Sequence, residues 1–371
     1  MMCRWRQGVT DPSEARFNFR REVHTVMSSV SLGIVLSLAA GVLNGSFATP
    51  TKYVKIWKWE NIWAVWGLVG MVLFPWFLVC VTVPGAVSFY EQAPSRPILF
   101  LILFGLGFGL AQIFFGLGIA AIGLSLNFAI AIGLSTALGS LVPLIALHPE
   151  TIPTFKGKMI FLGVGFMLAG IVLSAIAGRE KEKELQISLR DRPEGAEKRM
   201  SFKTGLIICI LAGLGSPLIN FGLAFGTPLI AQAAQAGVSS ASRANVIWAP
   251  LVTASFVPYI LYCIYLWRKN RSFHLYAKAR TWLYFLFGAV MGVLWMGSTA
   301  IYGAASAKLE AMGPILGWPL FMASIILTSN AWGFATGEWK GTARKPRAYI
   351  FSGIGLLILG FVILAYASHL T

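Results

Sequence analysis

VSLGIVLSLAAGVLNGSFA, residues 30–48, runs nineteen residues without a charge. An apolar stretch of that length spans the hydrocarbon core of a bilayer as a helix. Nine more such runs follow, near 62–83, 98–121, 124–147, 158–177, 203–224, 244–267, 281–305, 313–335 and 348–368. The chain of 371 residues is 57% hydrophobic, only 12% charged, and has a mean hydropathy of +0.72. A soluble domain carries about a quarter charged residues. The sequence therefore predicts an all-α membrane protein of ten transmembrane helices, with loops too short to hold a separate soluble core.

The first run also has an internal partner. GIVLSLAAG (Gly33 to Gly41) resembles GLIICILAG (Gly205 to Gly213) in the sixth run. LFGLGFG (Leu103 to Gly109) in the third is matched by LFGAVMG (Leu286 to Gly292) in the eighth. Gly163, Gly165 and Gly170 in the fifth are matched by Gly353, Gly355 and Gly360 in the tenth. The offsets of 172, 183 and 190 grow in chain order. Five helices is an odd number, so the second half enters the membrane from the opposite side. That predicts two inverted five-helix repeats, 27–177 and 203–371, an arrangement of secondary transporters. The charged segment 178–202 reads as a cytoplasmic linker, and 1–26 as a polar arm. Gly105 and Gly109, like Gly288 and Gly292, place small residues on one helix face and permit close packing. The GxG in the third run follows no strand and is not a dinucleotide fingerprint.

Charge sets the orientation. The loops at 49–61, 178–203, 268–280 and 336–347 carry twenty Lys and Arg, against five in the alternate loops. By the positive-inside tendency the basic face is cytoplasmic, which leaves both termini periplasmic in a bacterial inner membrane. Five arginines in the first 21 residues oppose export of that tail. A native start at Met27 removes the conflict; a signal peptide cut after Ala48 is the alternative. The net charge of +16 sits in these loops and does not mark a nucleic-acid binder. Cys3, Cys80, Cys209 and Cys263 have no paired spacing, so neither a disulfide framework nor a metal site is expected. No cofactor is implied.

Chemistry at membrane depth is neutral. The polar side chains there are Asn44, Gln112, Asn127, Asn220 and Asn330. Amides donate and accept, which suits a neutral polyhydroxy solute; the alternative is bonding between helices. Trp295, Tyr302, Trp318 and Trp332 could stack on a sugar ring or anchor at the interface. Trp57, Trp59, Trp63 and Trp66 cluster beside lysines and read as anchors. Six prolines within spans (Pro75, Pro143, Pro217, Pro250, Pro258, Pro319) free backbone carbonyls, and broken helices of that kind line sites. The histidines and carboxylates lie at span edges, and no HExxH or GxSxG occurs, so an enzyme is not expected.

From Met27 onward the chain resembles the L-rhamnose–proton symporter family of the drug/metabolite transporter superfamily. The resemblance is carried by ATPTKYVKIWKWENIWAVWG (Ala48 to Gly67) with its Trp59-Glu60 pair, by Pro75-Trp76, by GLGIAAIGLSLNFAIAIGLSTALGSLVP (Gly116 to Pro143) and by EWKGTARKP (Glu338 to Pro346). It supports Met27 as the start and implies ten helices, a small neutral sugar as substrate and proton coupling. AMGPILGWP (Ala311 to Pro319) departs from the pattern, with Pro314 about where members can carry an acidic residue. The expected substrate-binding set is Asn44, Gln112, Asn127, Asn220, Trp295 and Asn330, and the expected proton carriers are Glu60 and Glu338. Transport of another metabolite on the same fold is the alternative. A membrane-embedded enzyme or receptor comes last.

Overall fold

The computed structural model describes residues 12–122, 124–189, 201–278, 280–337 and 339–370. Among the described residues ten helices are long and apolar enough to cross a membrane: α1 Ser29–Tyr53, α2 Trp59–Thr82, α3 Ser95–Ile119, α4 Ile130–Leu147, α5 Phe155–Lys181, α6 Lys203–Phe225, α7 Asn245–Asn270, α8 Trp282–Lys308, α9 Glu310–Ala335 and α10 Arg344–Ser368. No strand occurs among the described residues. Large apolar side chains such as Phe77, Val81, Leu261, Phe351 and Val362 are exposed along the spans, as a lipid-facing surface requires.

Helix continues beyond the predicted spans at two places. Upstream of α1 it extends back to Pro12, where proline suits a first turn; residues 1–11 of the expected arm lie outside the described residues. After α5 the helix runs on to Leu189, into the expected linker. Glu180 there pairs with Lys183 at 2.7 Å and Lys345 at 3.4 Å. Glu184 accepts the Ala343 amide at 3.1 Å, and Lys181 lies 4.7 Å from the Trp339 ring centroid. The connector thus docks on the α9–α10 loop. Residues 190–200 lie outside the described residues. Ser201 caps the next helix by accepting the Thr204 amide at 3.2 Å.

Proline decides where the spans bend. A proline inside a helix donates no N–H and releases the carbonyl four residues earlier. In α2 a π-turn, Val69–Leu73, precedes Pro75; in α9 a π-turn, Gly313–Gly317, precedes Pro319. The Met71 carbonyl freed by Pro75 accepts the Thr253 hydroxyl at 3.2 Å. The Ile315 carbonyl freed by Pro319 accepts Ser140 at 2.7 Å. Pro250 frees Val246, whose carbonyl accepts Tyr90 at 3.0 Å. Burial pushes the Tyr90 hydroxyl above its ordinary range, which keeps it a donor. Pro143 frees Gly139, and that carbonyl accepts the Asn220 amide at 2.8 Å. An apolar medium offers no water to these carbonyls, so neighbouring helices supply the donors.

Glycines mark the closest of the helix crossings. α1 packs on α8 and α9, while α6 packs on α3 and α4. α3 packs on α7, and α2 on α8. α5 and α10 cross antiparallel through two glycine pairs. A methyl placed at Gly163 would lie 3.2 Å from the Gly360 carbonyl oxygen, and one at Gly360 would lie 2.8 Å from that of Gly163. Gly170 and Gly353 stand in the same relation, at 2.8 and 2.9 Å. Gly165 and Gly355, between them in sequence, face open space.

Candidate solute-binding cavity

A cavity of about 430 Å³ enters the bundle on the face that carries the 49–61 and 336–347 loops. Its size falls in the ~300–1,000 Å³ range of small-molecule sites. The last turn of α1 brings Asn44, α3 brings Gln112, and the middle of α8 brings Trp295, Thr299 and Tyr302. Ser135 of α4, Ser216 of α6, and Trp318 and Ser329 of α9 add further polar points. Among the described residues no Asp, Glu, Lys, Arg or His lines it.

The polar groups are held with some capacity to spare. Asn44 Nδ2 donates to Ser298 Oγ at 2.8 Å, and Ser298 in turn donates to the Trp295 carbonyl at 2.6 Å. Gln112 makes no hydrogen bond among the described residues, so its amide is free for a solute. Trp295 is wedged between Phe108, stacked at 6.4 Å, and Trp66, edge-on at 5.1 Å, and only 8% of it is exposed. The ring is fixed in orientation, and the small part of it left open shares one lining with the two amides.

The other three amides do not join this group. Asn220 is fully buried and satisfied: Tyr302 donates to its Oδ1 at 2.5 Å, and its Nδ2 donates to the carbonyls of Gly139 at 2.8 Å and Pro314 at 3.0 Å. Asn127 is also fully buried; it donates to the Phe115 carbonyl at 3.1 Å and packs on Gly118. Asn330 donates to Ile326 of its own helix at 3.0 Å. Amide identity in the sequence could not separate a free group from one that answers a carbonyl. For Asn220 the signal was Pro143, four residues beyond the carbonyl it frees.

A second cavity of about 610 Å³ enters from the opposite face. It is bounded by the ends of α4, α6 and α8 and the beginnings of α7 and α9, and it holds His148, Arg243 and Glu310. The two cavities are separated at the level of Asn220, Trp248 and Tyr302.

Residues 26–368 match the family described as L-rhamnose-proton symport protein. The chain belongs to that family. It is 27% identical over 338 residues to an L-rhamnose-proton symporter of Mannheimia succiniciproducens, covering 89% of this chain and 96% of the relative. It is 27% identical over 339 residues to one from Yersinia pestis, covering 90% and 96%. This member of the L-rhamnose-proton symport family is a multi-pass membrane protein. The relatives carry the names of transporters and not of enzymes.

In this family member Glu60, one of the two expected proton carriers, lies apart from the cavity. Glu338 is outside the described residues. Glu60 is 2% exposed at the start of α2, where it accepts Asn270 Nδ2 at 2.9 Å and the Ser272 hydroxyl. It clasps α2 to the turn after α7, and its charge suits a helix N-terminus. Pro314 contributes a backbone carbonyl to the Asn220 knot. The tryptophans expected as anchors divide. Trp59 is 39% exposed, but Trp57 and Trp66 are buried and Trp63 lines the cavity. Trp57 donates to the Leu275 carbonyl at 3.0 Å, an interior role the lysine-flanked pattern did not reveal. Trp332 donates to Ser46 at 2.8 Å and does not line the cavity.

Proposed function

We propose that this chain carries a neutral sugar of the L-rhamnose type together with a proton across the bacterial inner membrane by alternating access. The observation that carries the reading is the Asn44–Gln112–Trp295 cavity. It is uncharged, closed at the middle of the bundle, and furnished with a free amide and a fixed aromatic ring. Amides exchange hydrogen bonds with hydroxyls, and the apolar ring suits contact with the C–H groups of a sugar. The solute set then comprises Asn44, Gln112 and Trp295, with Ser135, Ser216 and Thr299 as further polar contacts. Asn127, Asn220 and Asn330 belong to the scaffold.

The halves 27–177 and 203–371 act as inverted repeats in this reading. The glycine contacts support it. Exchanging Gly163 for Gly353 and Gly170 for Gly360 turns the contact Gly163–Gly360 into Gly353–Gly170. Such reciprocity is what a two-fold axis generates. The pairing of α1 with α8 and α9 likewise becomes that of α6 with α3 and α4. The basic face is cytoplasmic, so the cavity opens inward and both termini lie outside.

Reconstituted protein tests the reading. L-Rhamnose added outside should enter and alkalinise the medium, and a protonophore should abolish accumulation. Gln112→Leu should weaken sugar binding at least tenfold, with no loss of folded protein, because Gln112 supports no other group. Binding at parental strength in Gln112→Leu and Asn44→Leu together would remove the cavity from the mechanism.

A further inference from the structure

The two cavities stop one helical turn apart. At the start of α7 the first is floored by Trp248 and the second by Ala244, which caps the helix; on α6 the corresponding residues are Ile219 and Leu223. Four residues along a helix cover about 6 Å. Within that turn the Asn220 side chain ties four helices at one level. Tyr302 of α8 donates to it at 2.5 Å, and it donates to Gly139 of α4 at 2.8 Å and Pro314 of α9 at 3.0 Å. Both acceptor carbonyls lie at irregular backbone, ahead of Pro143 and in the π-turn of α9.

We infer that the Asn220–Tyr302 knot is the latch of this partition, a gating pair at the floor of the solute cavity. The inference rests on the alternating-access reading. For solute to pass between the cavities, α4 and the π-turn of α9 must part from α6 and α8 at this level. The knot is what holds them together. The closed partition also carries a strain of its own: the Trp248 indole N–H is buried without a partner. It abuts Gly303, where an added methyl would lie 2.9 Å from it. An unsatisfied buried donor destabilises the state that contains it. Opening hydrates Trp248 and breaks the knot, so the two contributions oppose each other and keep the closed and open forms close in free energy.

The test reads sidedness and uses no sugar. In full-length protein with its four cysteines replaced, Met322→Cys reports the first cavity and Ala307→Cys the second. A charged methanethiosulfonate is added to one face at a time. Tyr302→Phe keeps the ring stacked on Phe321, where the centroids are 5.0 Å apart, and removes the hydroxyl alone. It should raise the reactivity of Met322→Cys from the second-cavity face about tenfold or more and lower it from the basic face. Gly303→Ala keeps every bond of the knot but sets a methyl 2.5 Å from Ala244 Cβ, wedging α8 from α7. It should shift labelling in the same direction. Rates equal to the parent in Tyr302→Phe overturn the latch, whatever Gly303→Ala does. Because no solute is present, a failed sugar assay leaves this result standing, and unchanged labelling leaves the sugar assay standing.

Discussion

The Asn220 amide donates at 2.8 Å to the Gly139 carbonyl, an acceptor that Pro143 has stripped of its helical partner. The same logic recurs where Ser140 answers Ile315 and Thr253 answers Met71. A proline in one span thereby selects a polar residue in another. In lipid these pairs fix which helices meet, since apolar contact alone favours a neighbouring helix little more than lipid.

The Ser140–Ile315 contact can be isolated by a double-mutant cycle. Ser140→Ala leaves the Ile315 carbonyl without a donor and should cost about 1–3 kcal/mol. Pro319→Ala restores a helical N–H at the right register. In that background Ser140→Ala should cost about 1 kcal/mol less or better, a coupling that thermal unfolding in detergent can resolve. Equal costs in both backgrounds would mean that the freed carbonyl does not depend on Ser140.

Asn220 and Asn330 are the same residue type at similar depth, yet they should respond differently. Asn220→Ala removes three hydrogen bonds and strands the Tyr302 hydroxyl and two carbonyls, which should destabilise the protein by about 3 kcal/mol or more. Asn330→Ala gives up only a bond to Ile326 within its own helix and should stay within about 0.5 kcal/mol of the parent. Melting temperatures of the two variants, measured side by side, check the contrast. A similar small loss in both would place Asn220 outside the scaffold.

The ten spans were legible because a charge-free run of nineteen residues has few other uses. The glycine spacings were legible for a related reason: a close crossing needs small residues at fixed intervals, and Gly163, Gly170, Gly353 and Gly360 all sit at one. What the sequence hid was direction. Asn44 and Gln112 face a cavity, whereas Asn127 and Asn220 face carbonyls, and an amide within an apolar run does not show in the sequence which way it points. Trp66 and Trp59 are seven residues apart, two helical turns, yet one is buried and the other half in the open. The packing of α7 and α8 decides that, and no local pattern around either tryptophan encodes it.

The glycines of the α5–α10 crossing give a graded test. Gly170→Ala and Gly353→Ala each put a methyl within 3 Å of the opposing backbone and should cost about 1–3 kcal/mol as the helices are forced apart. Gly165→Ala and Gly355→Ala meet nothing within 4 Å and should be neutral or stabilising by up to about 1 kcal/mol, since alanine restricts the unfolded chain. Folded yield and melting temperature read both effects. A penalty at Gly165 equal to that at Gly170 would contradict the crossing.

Glu60 offers the sharpest division between a proton carrier and a clasp. Its carboxylate accepts Asn270 Nδ2 at 2.9 Å and the Ser272 hydroxyl while only 2% of the residue is exposed. Glu60→Gln keeps an oxygen for those donors but has no proton to exchange. If Glu60 carries the coupled proton, sugar exchange at equal concentrations should persist near the parental rate, because that half-cycle needs no net proton movement. Accumulation driven by a pH gradient should disappear, with the internal-to-external sugar ratio falling to about one. Glu60→Ala removes the acceptor as well and should additionally lower the melting temperature, leaving two donors unpaired. Protonophore-sensitive accumulation that survives in Glu60→Gln would assign the residue to the clasp alone and send the search for the proton to the second cavity, where His148 and Glu310 stand.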